Sequence, residues 1–124
     1  MEIKIGCTGW SYQGWSGNFY PKNLKSSEWL NYYSRIFNIT EINSTFYKIP
    51  SQEIVRRWNE DTPKYFKFTA KFPSIITHEK RLDGINSEIF SFLTSLLPIH
   101  EKISALVLQL PPSLTFNEAK PRLE

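Results

Sequence analysis

"ITEINSTFYKIP", residues 39–50, begins as a strand, and its polar residues decide what kind of sheet that strand belongs to. Ile39, Thr40 and Ile42 are β-branched and suit a pleated surface. Glu41 and Asn43 interrupt them where a strand covered by apolar layers on both faces would carry apolar side chains. Successive side chains of a strand point to opposite faces. Glu41 and Asn43 therefore share one face with Ile39, and Thr40 shares the other with Ile42.

Three further segments read as strands: "IKIGC" (3–7), "YFKFTAKF" (65–72) and "SALVLQL" (104–110). Each is rich in β-branched, aromatic or leucine residues and is closed by a turn or proline signal. The segments between them have helical spacing. In 26–37, Trp29, Tyr33, Ile36 and Phe37 fall on one helix face. Residues 51–61 start at Ser51, a good N-cap, and offer Ile54, Val55 and Trp58 for burial. Residues 86–97 start at Asn86, with Ile85 and Phe90 placed for a hydrophobic staple and Pro98 stopping the run. Their apolar face is Ile89, Phe90, Leu93, Leu96 and Leu97. The tail 113–124 reads as a loop and the first turn of a fourth helix.

Strand and helix alternate throughout, which predicts an α/β fold with a parallel sheet. Residues 1–124 form one domain, without repeats, low-complexity tracts or linkers. Aromatic residues make up 15% of the chain, so rings supply much of the core. The net charge of +3 is compatible with anionic ligands but falls short of the basic stripe of a dedicated nucleic-acid binder. The one cysteine, Cys7, excludes an internal disulfide and suits a reducing compartment. No secretory signal and no apolar run of roughly 20 residues is present, so the expectation is a cytoplasmic protein with no membrane partner.

Parity extends the two faces across the sheet. Leu106, Leu108 and Leu110 oppose Ala105, Val107 and Gln109; Phe66, Phe68 and Phe72 oppose Tyr65, Lys67, Thr69 and Lys71. The apolar sets meet the helices. The other face collects Cys7, Glu41, Asn43, Lys67, Thr69, Lys71 and Gln109, mostly towards the C-terminal strand ends, where ligands bind in α/β sheets and barrels. A carboxylate, an ammonium and two amides there can orient and polarise a small ligand. A buried Glu41–lysine ion pair that only satisfies the interior is the plainer reading.

Four motifs carry a resemblance. "IGCTGWSYQGWSGNFYP" (5–21), "EINSTFYKIP" (41–50), "RRWNEDTPKYFKFTAKFPSIITH" (56–78) and "LVLQLPPSLTFN" (106–117) occur in order and together resemble the domain-of-unknown-function 72 family, also called YecE-like proteins. The resemblance covers nearly the whole chain. It implies a TIM-barrel type of fold with no firmly assigned activity and a pocket at the C-terminal face of the strands. Carried over by position, that pocket takes Gly9, Trp10 and Tyr12 from the first loop, and Glu41, Asn43, Phe46 and Tyr47 after the second strand. Lys71 and His78 follow the third strand, and Gln109 and Pro111 the fourth. The family's first glycine motif usually reads Thr-Ser-Gly-Trp; Cys7-Thr8-Gly9-Trp10 keeps the hydroxyl before the glycine and replaces the threonine with cysteine.

A TIM barrel typically needs roughly 250 residues. This chain supplies about half a barrel: four strands, three helices and the start of a fourth. The open parallel edges invite association, so two readings stand: a half-barrel completed by a second copy of itself, or a truncated product.

Glu41 and His78 are the candidate catalytic residues, exchanging protons in metal-free acid–base or hydrolytic chemistry. Trp10, Tyr12, Asn43, Tyr47, Lys71 and Gln109 are the candidate ligand-binding residues. Lys71 has two compatible roles, anion stabilisation and pairing with Glu41. The aromatic first loop is either a stacking platform or a packed lid over the barrel mouth. Cys7 lacks an activating partner and reads as a small hydrophobe. One cysteine with His78 and His100 makes no metal-ligand cluster, and no phosphate-binding glycine loop is present; neither a metal nor a cofactor is expected. The expected partner is a small polar or anionic ligand. Two alternatives are a nucleic-acid-binding or nuclease-like barrel, drawing on Arg56, Arg57, Lys64 and Lys67, and an inactive remnant or assembly partner.

Overall fold

Alternation along the third strand sets the layering. In the computed structural model, which describes residues 1–124, Phe66, Phe68 and Ala70 are buried while Lys67, Thr69 and Lys71 are half-buried. The strands are β1 (Gly6–Thr8), β2 (Ile39–Ile42), β3 (Lys67–Lys71) and β4 (Ile103–Val107), all parallel and in the order β1-β2-β3-β4. Between them run α1 (Trp29–Ile36), α2 (Gln52–Asp61) and α3 (Asn86–Ser95), and α4 (Phe116–Leu123) follows β4. Ile42, Phe66, Phe68 and Ala70 form one core with Trp29, Leu30 and Tyr33 of α1, Val55 of α2 and Phe92 of α3. Full burial of each large side chain there contributes about 1.5–3 kcal/mol. The helices thus cover one face of the sheet, and the face bearing Glu41, Thr69 and Lys71 stays partly open.

The four strands and their alternation agree with the sequence reading, with shorter bounds. β1 begins at Gly6 because only Gly6–Thr8 pair with β2; Ile3 and Ile5 precede the ladder and are exposed. β4 ends at Val107, so Gln109 lies beyond it and is exposed. Cys7 moves to the opposite face from the one expected. Its register partner is Thr40, whose own partner is Phe68, so Cys7 packs against the core with the helices. Register, which parity within one strand cannot fix, makes the difference.

The helices differ in which stripe they bury. α3 buries Phe92, Ser95 and Leu96 and leaves Phe90, Leu93 and Leu97 exposed, and the expected Ile85–Phe90 staple does not form. Phe92 is held instead by Phe72, with ring centroids 5.3 Å apart. Ile36 and Ile54 are exposed as well; Leu30 and Ser34 of α1 take the buried positions. Ser51 caps α2 as its sequence suggests, accepting from Ile54 N–H. The tail forms all of α4, started by a capping box in which Thr115 and Glu118 bind each other's backbone N–H.

The rings of the first loop pack against the core and α1. Tyr20 stacks on Trp29 at 5.0 Å and donates its hydroxyl to Trp10 O at 2.5 Å. Trp15 lies edge-on to Phe19 at 5.4 Å and parallel to Tyr33 at 6.5 Å. Burial drives the Tyr20 phenol far above its ordinary range. The Trp10 ring meets Trp58 at 5.7 Å and Phe68 at 6.5 Å.

Two polar groups from outside the sheet fix its strand connections. The Tyr33 hydroxyl accepts from Cys7 N–H at 2.6 Å and donates to Ile39 O at 3.0 Å, bridging β1 and β2. Only glycine fits beside that bridge: a Cβ at Gly6 would overlap the Ile39 carbonyl oxygen and lie 2.9 Å from the Tyr33 hydroxyl. At the N-terminal end of β4, buried Lys102 donates to Asn59 O and Thr62 O, both at 2.8 Å, and to Thr62 Oγ1 at 3.1 Å. Its charge caps the C-terminal end of α2, where carbonyls lack helical partners. Burial pushes its pKa below the usual lysine value.

Two outcomes follow in thermal unfolding followed by circular dichroism. Gly6→Ala is expected to lower stability by about 3 kcal/mol through overpacking; an unchanged melting temperature would refute the close approach. Lys102→Met is expected to cost about 2 kcal/mol by stranding the α2 carbonyls, and a variant as stable as the parent would remove the cap.

Candidate functional site

Glu41 stands on β2 beside Thr69 of β3, and Lys71 lies two residues further along the same face of β3. Lys71 Nζ is 3.6 Å from Glu41 Oε1 and donates to Asn43 Oδ1 at 3.2 Å. Both partners of the charge pair are about a quarter exposed, at 22% for Lys71 and 26% for Glu41. They are neither sealed in a core nor loose on a surface, and the pair remains open to a ligand from the uncovered side of the sheet.

The backbone around the pair is fixed from three directions. Gly9 N–H donates to Glu41 O at 2.8 Å, extending the ladder past β1 into the first loop. Gly9 has φ +79°, and a Cβ there would come within 3.0 Å of the Tyr12 hydroxyl, so the turn requires glycine. After β2 the chain enters a single 3₁₀ turn, Ser44–Phe46. Buried Thr45 directs its hydroxyl to Ile42 O at 3.0 Å and to Lys71 O at 2.8 Å, fastening this turn to the end of β3. Thr45 is a positioning residue that the sequence reading passed over. A hydroxyl two residues after Asn43, at the end of a strand, was the available signal.

The other predicted residues are placed as follows. Tyr12 is part-exposed and lies against Trp15 at 4.8 Å, with its hydroxyl donating to Thr8 O. The Trp10 ring is committed to the helix-side core, leaving its backbone at the site. Phe46 stands edge-on to Tyr47 and to the His78 ring, each at 5.2 Å, so Tyr47 and His78 flank one ring. Tyr47 is 76% exposed. His78 sits in the π-helical turn Ile75–Glu79, is exposed, and its Nδ1 lies 2.7 Å from the Thr77 hydroxyl. It forms no ion pair with Glu41, so the structure joins Glu41 to Lys71 and Asn43 rather than to His78. Gln109 is exposed and makes no hydrogen bond with these groups.

Two small clefts adjoin the cluster. One, of about 180 Å³, lies between the first loop and the turn after β2, lined by Trp10, Ser11, Tyr12, Asn43 and Ser44 among others. The other, of about 220 Å³, lies where Lys4, Thr8, Glu41 and Thr69 meet at the β1–β2 edge. A wider cleft of about 400 Å³, lined by Asn59, Thr62, Lys64, His100 and Lys102, is at the opposite, N-terminal end of the strands around the α2 cap. No three His, Cys, Asp or Glu side chains converge as metal ligands. Of the basic residues, Arg56 donates to Gln52 and Arg57 to Glu53 along α2, while Lys67 donates to Glu101 O. No helix is long and apolar enough to cross a membrane.

Comparison with known proteins places this arrangement. Residues 4–124 match the family described as "Protein of unknown function DUF72". The UPF0759 protein YecE of Escherichia coli K12 is 37% identical over 109 residues, covering 88% of this chain and 38% of that protein. The UPF0759 protein YunF of Bacillus subtilis is 34% identical over 116 residues, covering 89% of this chain and 40% of its own length. Among solved structures, a DUF72 family protein from Thermotoga maritima aligns with a TM-score of 0.79 at 32% identity, over 97% of this chain and 50% of that one. A DUF72 family protein from Enterococcus faecalis aligns at 0.78 and 25% identity, over 98% and 45%. The chain spans about two-fifths of the curated relatives it matches and about half of the solved ones. Its four parallel βα units are half of a TIM-barrel type of fold, and the chain belongs to the DUF72 family of proteins of unknown function.

Proposed function

We propose that this chain provides one side of a site for a small polar or anionic molecule at the C-terminal ends of the strands. The carrying observation is the placement of Lys71 Nζ between Glu41 Oε1 at 3.6 Å and Asn43 Oδ1 at 3.2 Å on the part-open face. An ammonium held by a carboxylate and an amide is oriented before any ligand arrives, so less ordering is required on binding. Its contact with Glu41 is longer than a hydrogen bond, so Glu41 retains oxygens able to accept from a ligand.

In the chemistry this supports, Glu41 accepts a proton and Lys71 stabilises the negative charge that develops on the ligand. His78, on the exposed turn after β3, is the second proton-transfer group. It reaches Glu41 only through a ligand lying between them, since the two side chains make no direct pair. The half-exposed inner face and the unpaired edges of β1 and β4 support completion of the site by further βα units.

The test is a ¹⁵N NMR titration against a panel of small carboxylates, phosphates and polyols, followed by activity assays on any molecule that binds. Shift changes are expected to cluster at Gly9, Glu41, Asn43 and Lys71. A cluster around Asn59 and Lys102 would move the site to the other end of the sheet. For a substrate that is turned over, Glu41→Gln is expected to lower kcat by roughly 10²–10⁴ with the melting temperature unchanged. Full turnover in that variant would remove Glu41 from the chemistry.

A further inference from the structure

Both edges of the sheet lack what would ordinarily finish them. β1 and β4 are the outer strands, each with one unpaired flank. Their residues, Gly-Cys-Thr in β1 and Ile-Ser-Ala-Leu-Val in β4, include neither the charge nor the proline that commonly guards an exposed edge against pairing. On the central strands the helix layer seals Ile42, Phe68 and Ala70. It does not reach the start of the chain. Ile3 and Ile5 precede β1 in step with Cys7, which packs on the helix side, yet they are 66% and 68% exposed. With Ile36, Phe37 and Tyr65 they line an open, largely apolar groove of about 550 Å³.

The β4 edge has the opposite shortage. Phe116, Ala119 and Leu123 of α4 are spaced i, i+3 and i+7, which makes one stripe along the helix. Ala119 alone is buried, in a cluster with Ile76, Leu82 and Leu114, while Phe116 and Leu123 are 74% and 57% exposed. At β1 a strand edge lacks a helix over it; at β4 a helix lacks a strand under part of its apolar stripe. The two edges are therefore complementary to each other. They are opposite flanks of one sheet and cannot meet within the chain, because β2 and β3 stand between them.

We infer that a second copy of this chain occupies both edges: β1 of each copy lies parallel to β4 of the other, and α4 of each covers the Ile3 and Ile5 side of the other's β1. The two contacts are alike and form together about a two-fold axis, so the assembly closes at a dimer. Eight parallel strands result, the number at which a barrel interior is just filled by side chains. The size agrees with the solved relatives. This chain covers 50% of the Thermotoga maritima protein, so the part of that protein beyond the shared region has about the length of one further copy. The dimer rests on the two edges; the partner's share in the site rests also on the ligand-binding reading above. In the closed barrel each copy brings its own Glu41, Asn43 and Lys71 to the C-terminal ends of the strands, so half of the groups around a ligand come from the partner.

The experiment is sedimentation velocity on the 124-residue chain over a concentration series, with the ¹⁵N titration described above run on the same samples. A species of twice the 14.6 kDa chain mass is expected, with no larger assembly as concentration rises. Ile5→Glu and Leu123→Glu each place a charge in an apolar contact and are expected to raise the dimer dissociation constant at least ~100-fold. Phe90→Glu, on the exposed face of α3, is expected to leave it unchanged. All three residues are exposed in the single chain, so the variants are expected to keep its fold. A chain that stays monomeric would overturn the inference and leave the edges to further βα units. A ladder of species growing with concentration, or dimerisation undiminished in either Ile5→Glu or Leu123→Glu, would overturn it too, as would a dimer lost only in Phe90→Glu. The site is judged separately. A dimer whose Glu41, Asn43 and Lys71 resonances ignore every ligand of the panel keeps the assembly and refutes the ligand-binding reading, whereas a monomer that binds there does the reverse.

Discussion

The alternation of side chains along a parallel strand governs this protein. On one face Ile42, Phe68 and Ala70 are sealed by α1, α2 and α3. On the other, one residue away in each strand, Glu41, Thr69 and Lys71 occupy the same levels of the sheet. Apolar burial on the first face holds polar side chains on the second in fixed positions, because a one-residue slip in register would exchange the two sets. Glu41 and Lys71 are kept near each other by the packing of phenylalanines on the far side of the same backbone.

Partial exposure of that pair suits a site better than a core. Complete burial of an ion pair costs desolvation energy that its attraction often fails to repay. Complete exposure would screen the pair and let the side chains wander. At about a quarter exposed, with the ammonium also bound to Asn43 Oδ1, the charges retain order and access together. Rigidity comes from the loops. Gly9 N–H ties the first loop to Glu41 O, and Thr45 fastens the turn after β2 to Lys71 O. The aromatic first loop adds to this by anchoring Trp10, Trp15 and Tyr20 against the core.

The two ends of the sheet divide their tasks. At the N-terminal end, Lys102 uses its donors on Asn59 and Thr62 to finish α2, which makes it a stabilising lysine. At the C-terminal end, Lys71 is less buried and less committed. The same residue type takes opposite roles because Lys102 meets a helix end short of hydrogen-bond partners, whereas Lys71 meets a carboxylate and an amide that keep capacity for something else.

The order of strands and helices, the parallel sheet, the half-barrel size and the shared face of Glu41, Thr69 and Lys71 were legible in the sequence. They follow from local hydrophobic periods and from parity, which a strand carries within itself. The match of four motifs to a barrel family added the TIM-barrel type of fold. What the tertiary structure alone decided was relative position. Cys7 went to the helix side because its register partner is Thr40. α3 buried Phe92 rather than Phe90 because Phe92 meets Phe72. His78 met Phe46 rather than Glu41, and Thr45 became the clasp between β2 and β3. Each of these depends on which residue of one element stands opposite which residue of another. That is fixed by packing between segments far apart in the chain, and no periodicity within a single segment encodes it.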